Sequence, residues 1–308
     1  MSKFFKNTRR VKTFLNDDIW TLDHEELSKA KARFVKYMKV LIITIKTFSA
    51  EKIGFQAVAL SFFCTMSAVP IIAVAFVVTG GLGLSDKLKQ MLYLNFSNSQ
   101  ETIDMVLGFS DNIIKTAQSS TVGLISALLF LWVVIWMMMS VERVFNNVWK
   151  VRKSRNMLKR LSIYFSMLVI APFCLMIFFS GSYIFDQILE YAGLNVASFT
   201  TFKTLLKWVL SCAVAVLIFS AMYKFIPNAQ VRYQHALRAA AISGTAFTIV
   251  QYLYIETQVF VTRLDAIYGA FAAIPLFMVW LNIGWFIILI GAELSYAFQN
   301  VGNYNAVK

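Results

Sequence analysis

Histidine is nearly missing from this sequence: His24 and His235 are the only two in 308 residues, and they lie far apart. No histidine cluster exists to hold a metal or to place an acid beside a base, which leaves metal-assisted hydrolysis and nuclease chemistry without a site. Acidic residues are scarce too, 16 against 29 Lys and Arg, for a net charge of +13. The three cysteines, Cys64, Cys174 and Cys212, all fall in apolar segments. Thiols so placed pack as small hydrophobic groups, and neither a disulfide, a redox role nor zinc is indicated. No Gly-x-x-x-x-Gly-Lys-Ser/Thr loop is present, so the chain itself lacks the phosphate cradle of an ATP-driven pump. The expectation is a chain that is not an enzyme, with no catalytic residues, no cofactor, no metal and no nucleic-acid partner.

What is abundant is apolar surface. Hydrophobic residues make up 58% of the chain, charged ones 15%, and the mean hydropathy is +0.65, far too apolar for a soluble domain of this length. The fold class is therefore all-α, a polytopic membrane protein. Six intervals free of Asp, Glu, Lys and Arg are candidates to span: 53–85, 116–141, 161–185, 208–223, 239–255 and 266–292. The fourth and fifth reach only about 25 Å of a roughly 30 Å hydrocarbon core, but Lys207, Lys224 and Arg238 can snorkel at their ends. The expected spans are about 55–80, 119–141, 161–185, 207–226, 238–256 and 266–292, within a membrane domain at 53–298. A basic cytoplasmic region at 1–52 precedes it and a tail at 299–308 follows. Residues 1–10 are basic but have no apolar core directly behind them, so no cleavable secretory signal is expected. Lys and Arg number 23 in the terminal regions and even-numbered loops against 6 in the odd-numbered loops, which predicts both termini in the cytoplasm.

Ahead of the first span, Phe34, Met38, Leu41 and Ile45 keep helical spacing while Lys29, Arg33, Lys36 and Lys39 punctuate the remainder. That is a basic amphipathic helix, suited either to the headgroup layer or to packing against cytoplasmic loops. Loop 142–160 is strongly basic, and Arg143, Lys150, Arg152, Lys153 and Arg155 are candidate headgroup contacts. Membrane lipids, above all anionic ones, are the expected partners, alongside a second copy of the chain or an envelope protein. In loop 86–115 Ser97–Gln100 resembles a capping box opening a helix with Ile103, Val106, Leu107, Ile113 and Ile114 on one face, either a lid or a helix on the outer leaflet.

Polar side chains inside a bilayer are costly and are the default functional candidates. Gln56 and Gln251 fall within the first and fifth expected spans. In the last, Tyr268, Pro275 and Asn282 recur every seven residues and Glu293 follows by eleven, which at about 100° per residue places all four near one helical face. These six are candidate transport or gating residues. For Ser and Thr, bonding to the carbonyls of their own helix is the simpler expectation. Arg238 is expected to pair with Glu293, and Glu256, Arg263 and Asp265 to form ion pairs at the opposite boundary. Pro70, Pro172 and Pro275 are expected to kink their spans.

These residues resemble those of the YihY, or virulence factor BrkB, family of bacterial inner-membrane proteins, once labelled ribonuclease BN. The resemblance is best over 224–298: Lys224-Phe-Ile-Pro227, His235-Ala-Leu-Arg-Ala-Ala-Ala-Ile-Ser-Gly-Thr245, Tyr268-Gly269, Trp280 and Gly291-Ala-Glu-Leu294. Ala59-Leu-Ser-Phe-Phe63 with Pro70, and Phe145-Asn-Asn-Val-Trp149, match more loosely. Gly244-Thr245 stands where the family has Gly-Ala, and Ser61-Phe-Phe where tyrosine is usual. The resemblance implies a six-helix fold in a bacterial inner membrane and a link to envelope lipid homeostasis. It favours a transporter of phospholipid or another amphipathic envelope molecule over a structural or adaptor membrane protein. Ribonuclease activity is not expected.

Overall fold

A charge-free apolar run can satisfy its backbone in a bilayer only by closing its own hydrogen bonds, so such runs become helices. The computed structural model describes residues 19–21, 28–80, 82–95, 100–119, 121–192, 200–268 and 273–302. A single helical turn at Ile19–Thr21 precedes α1 (Lys29–Ala50), α2 (Ile53–Gly80), α3 (Ser85–Asn95), α4 (Gln100–Ser119), α5 (Thr121–Val148), α6 (Met157–Tyr191), α7 (Thr200–Phe225), α8 (Tyr233–Tyr268) and α9 (Ala273–Asn300). No strand occurs among the described residues. The fold is all-α, and among the described residues five helices are long and apolar enough to cross a membrane: Ile53–Gly80, Leu128–Val148, Met157–Cys174, Trp208–Phe225 and Pro275–Asn300. The expected span at 238–256 lies on α8, whose first turns are rich in alanine and carry Arg238.

The last expected span, 266–292, is divided. Tyr268 is the last described residue of α8 and Ala273 the first of α9, and the two helices pack against each other, so Tyr268 belongs to α8 while Pro275, Asn282 and Glu293 lie on α9. Proline disfavours a helical conformation in the residue before it and is tolerated in a first turn, where its missing N–H removes no bond. Pro275 lies in the first described turn of α9 and is exposed. Pro70 and Pro172 do lie inside α2 and α6.

The main core gathers at the basic ends of α1, α2, α5, α7, α8 and α9, around Ile43, Ile53, Leu60, Phe145, Tyr223, Ala239, Leu289 and Ala292. Small residues let the helices approach closely there. A Cβ on Gly244 of α8 would stand 3.0 Å from the backbone nitrogen of Val216 on α7. A smaller cluster at the other end of α2 joins Ala75 and Phe76 to Leu88 of α3 and Ile103 and Leu107 of α4. The expected loop helix with Ile103 and Leu107 on its apolar face is thus α4, while Ser97 lies outside the described residues. Tyr93 donates a hydrogen bond to Asp104 there, and the nearby carboxylate raises the phenol above its usual range.

The amphipathic helix α1 packs along α9. Val40, Ile43, Thr44 and Thr47 form its buried face, and its Phe48 and Tyr37 rings meet Phe286 and Phe298 of α9 at 5.0 and 6.1 Å. Lys52, at φ 50° in the left-handed region, sits at the break between α1 and α2.

Candidate functional site

The basic ends of α5, α6 and α7 are tied by one polar network. Glu142 on α5 is 2% exposed. It accepts a hydrogen bond from the Tyr164 hydroxyl of α6, and its Oε2 lies 3.2 Å from Nε of Arg160, also on α6. Asn146, one turn further along α5, donates at 3.4 Å to Glu142 Oε1 and accepts at 2.7 Å from the backbone N–H of Asn228, in the turn between α7 and α8. Next to this group a crevice of about 30 Å³ lies between Met138 and Val141 of α5 and Ile163 and Met167 of α6. That is room for one water molecule.

Arg155 departs from the expected role at lipid headgroups. Its guanidinium donates to the carbonyls of Phe225, Ile226 and Pro227 at 3.1, 3.1 and 2.9 Å, and to Oδ1 of Asn228 at 3.2 Å. The last carbonyls of a helix have no partner within it and carry the negative end of its dipole, so a planar cation with five donors is well matched to the end of α7. Lysine, with one ammonium, cannot reach four acceptors. Arg155→Lys is expected to cost about 1–2 kcal/mol of stability, several lost hydrogen bonds partly offset by retained charge. Thermal unfolding of the purified protein checks this. On the other side of the same turn, Gln299 of α9 accepts from the Arg232 N–H at 2.8 Å and donates to the Gln230 carbonyl at 2.9 Å. The α7–α8 turn is therefore gripped from both sides.

Arg143, Arg152 and Lys153 are exposed. Lys150 is exposed too, with its ammonium 5.6 Å from the centre of the Tyr296 ring. The expected pair of Arg238 and Glu293 does not form. Ala236, Ala239 and Ala240 turn one face of α8 inward and leave Arg238 exposed on another, while Glu293 is 0% exposed and neither carboxyl oxygen has a hydrogen-bond partner. Near Arg238, burial and the positive charges of Arg238, Lys36 and Arg232 lower the His235 pKa.

A second polar set lies inside the bundle. Asn282 and Glu293, eleven residues apart, share one face of α9. Between them on that face Trp285 donates to the Cys64 sulfur of α2 at 3.1 Å. Asn282 has a buried amide nitrogen, and Gln251 of α8 a buried amide oxygen, without a hydrogen-bond partner. Gln56 of α2 donates to the Glu51 carbonyl at 2.8 Å, yet its own amide oxygen is buried without a donor. Ser61, Thr65, Ser67 and Thr248 bond to carbonyls of their own helices, the simpler expectation for such residues. Glu256, Arg263, Asp265 and Tyr268 fall on the last turns of α8, and their side chains lie outside the described residues.

Sequence reasoning missed Glu142, Tyr164 and Arg160. A signal was present: Glu142 is the single acid beside seven Lys and Arg in 142–160, and an acid at the edge of such a loop is placed to pair. Among the described residues no three His, Cys, Asp or Glu side chains gather closely enough to hold a metal ion.

Residues 44–307 match the family described as Virulence factor BrkB. The chain is similar to a UPF0761 membrane protein of Haemophilus influenzae strain 86-028NP, 27% identical over 83% of this chain and 94% of that one. It is also similar to UPF0761 membrane proteins of Acinetobacter baylyi, 27% identical over 85% of this chain and 62% of the relative, and of Chromohalobacter salexigens, 29% identical over 82% and 61%. The chain thus spans about three fifths of the length of those last two relatives. No solved structure matches.

Proposed function

Because this chain belongs to the virulence factor BrkB family and is an integral membrane protein, we propose that it sits in the bacterial inner membrane and transports phospholipid or another amphipathic envelope molecule. The observation that carries this reading is Glu293, 0% exposed, with neither oxygen hydrogen-bonded by the protein. A buried polar group left unpaired costs on the order of a few kcal/mol, and a carboxyl group more than an amide. A strut that only held helices together would gain by replacing it with leucine. Its presence, with Asn282 three turns away and Gln56 on the neighbouring helix, fits a path whose polar groups meet a headgroup in another state of the bundle.

A fluorescent-lipid exchange assay in reconstituted vesicles tests it. The native protein is expected to exchange lipid between leaflets faster than protein-free vesicles. Glu293→Gln and Asn282→Leu are expected to slow exchange tenfold or more while unfolding at the native temperature. Rates equal to empty vesicles under several lipid compositions and ion gradients would sink the reading. In its place would stand a structural or adaptor role, which the water-sized crevice beside Glu142 and the tightly gripped α7–α8 turn favour.

A further inference from the structure

Helix α1 carries two apolar stripes, and α9 occupies only one of them. Val40, Ile43, Thr44 and Thr47 are buried against the bundle, whereas Phe34, Leu41 and Ile45 are 67, 49 and 61% exposed, and Tyr37, 57% exposed, lies at the seam with its ring against Phe298 of α9. Phe34, Leu41 and Ile45, seven and four residues apart, form a helical stripe about a third of a turn from the buried one. It runs on past the Lys52 break into the outer face of α2, where Phe55, Val58, Phe62 and Met66 are 76, 56, 51 and 61% exposed. Because α2 is long and apolar enough to cross a membrane, this outer face is one that lipid suits. The stripe on α1 is continuous with it.

The ring contacts fix how α1 lies. Phe48 meets Phe286 and Tyr37 meets Phe298, so eleven residues of α1 run beside twelve of α9 in the opposite direction. At about 1.5 Å per residue both stretches are about 16–18 Å long, which requires nearly antiparallel axes. Because α9 crosses the membrane, α1 is steeply inclined rather than flat in the headgroup plane. Lys31, Lys36 and Lys46 are exposed on the same helix, and anionic headgroups complement them.

We propose that α1 is a one-leaflet wedge: its C-terminal half enters the cytoplasmic leaflet beside α9, its Leu41–Ile45 stripe lies against the acyl chains of anionic phospholipid, and its lysines meet the headgroups. The proposal is independent of transport. It predicts a gradient of depth along a segment that a surface-lying amphipathic helix would hold at one level.

Spin labels at Phe34→Cys, Leu41→Cys and Ile45→Cys, with Cys64, Cys174 and Cys212 replaced, are read in vesicles of phosphatidylethanolamine and phosphatidylglycerol by relaxation with oxygen and with a water-soluble nickel chelate. Position 45 is expected deeper than position 34 by on the order of 10 Å, within the about 16 Å that eleven residues of helix span, with oxygen dominant at 41 and 45. Equal depths would overturn the proposal by laying the helix flat. Nickel access at all three sites would overturn it by putting the stripe in water, and shielding from both reagents would do so by covering it with protein, a second copy included. Since Cys64 accepts the Trp285 N–H, the cysteine replacements themselves can perturb the fold. A photoreactive benzoylphenylalanine in place of Leu41, in the otherwise unaltered chain, gives an independent readout. Adducts enriched in phosphatidylglycerol over phosphatidylethanolamine are expected, while adducts to protein, or to lipid without that enrichment, would overturn it.

Discussion

Replacing Gly291 by alanine is expected to destabilise the protein by about 1–3 kcal/mol, the usual cost of forcing a methyl group into a packed core. Two effects of opposite sign compete. In a helix interior alanine is favoured over glycine by up to about 1 kcal/mol, so an open site would be stabilised. Here the added Cβ would stand 2.0 Å from the Tyr223 hydroxyl, 2.5 Å from Ser243 Oγ and 2.7 Å from Ser243 Cβ. Neither residue can yield freely, because their hydroxyls bond each other at 2.7 Å, Ser243 also donates to the Ala239 carbonyl, and Tyr223 is fully buried. The clash therefore wins, and helices α7, α8 and α9 must separate. Gly54 is the control: its Cβ would meet nothing nearer than Phe286 at 3.9 Å, so Gly54→Ala is expected to be neutral or mildly stabilising. Adding Tyr223→Phe to Gly291→Ala removes the nearest clashing atom and is expected to restore part of the loss, the Ser243 contact keeping it incomplete. Melting curves in detergent for these variants check each step. A Gly291→Ala protein as stable as the native one would show that the three helices do not meet this closely.

The helices were legible because charge is so costly in hydrocarbon that the charge-free intervals mark where the chain can cross. Their ends were less so. Between 266 and 292 nothing charged interrupts the run, so no charge marks where α8 gives way to α9. The polar stripe accordingly shrank to Asn282 and Glu293. Pairings were the least legible part. Arg238 and Glu293 stand at similar expected depths, yet depth says nothing about which way a side chain turns round its helix. The alanines beside Arg238 reveal its outward direction only once α8 has neighbours. Arg155 looks like any other cation of a basic loop, because its partners are backbone carbonyls some seventy residues away that no side-chain pattern records. Asn146 and Asn228 were inside segments singled out by resemblance, but their contact is a tertiary fact.

Removing Arg160 is expected to be the most damaging change to the network at the basic ends, and the damage should be reversible by a second loss. Glu142 is 2% exposed and faces one guanidinium, one phenol and one amide. Arg160→Met strands that carboxylate, and breaking a buried pair on one side costs about 3–5 kcal/mol. The side chain of Arg160 is itself 15% exposed, which places the expected loss near the lower end of that range, about 3 kcal/mol. The reverse change is not equivalent. In Glu142→Met the remaining arginine has a long stem and the headgroup layer within reach, so it can snorkel outward and keep its charge solvated. Glu142, on a shorter stem and 2% exposed, has no such exit. Glu142→Met is therefore expected to cost less than Arg160→Met, chiefly through the unpaired Tyr164 hydroxyl. The double variant Glu142→Met/Arg160→Met, apolar on both sides, is expected to recover most of the stability that Arg160→Met alone loses. A thermodynamic cycle over these three variants, read as reversible unfolding in mixed micelles, measures the coupling directly. Additive losses would mean that Glu142 and Arg160 do not depend on each other, and that the basic ends of α5 and α6 are held by packing alone.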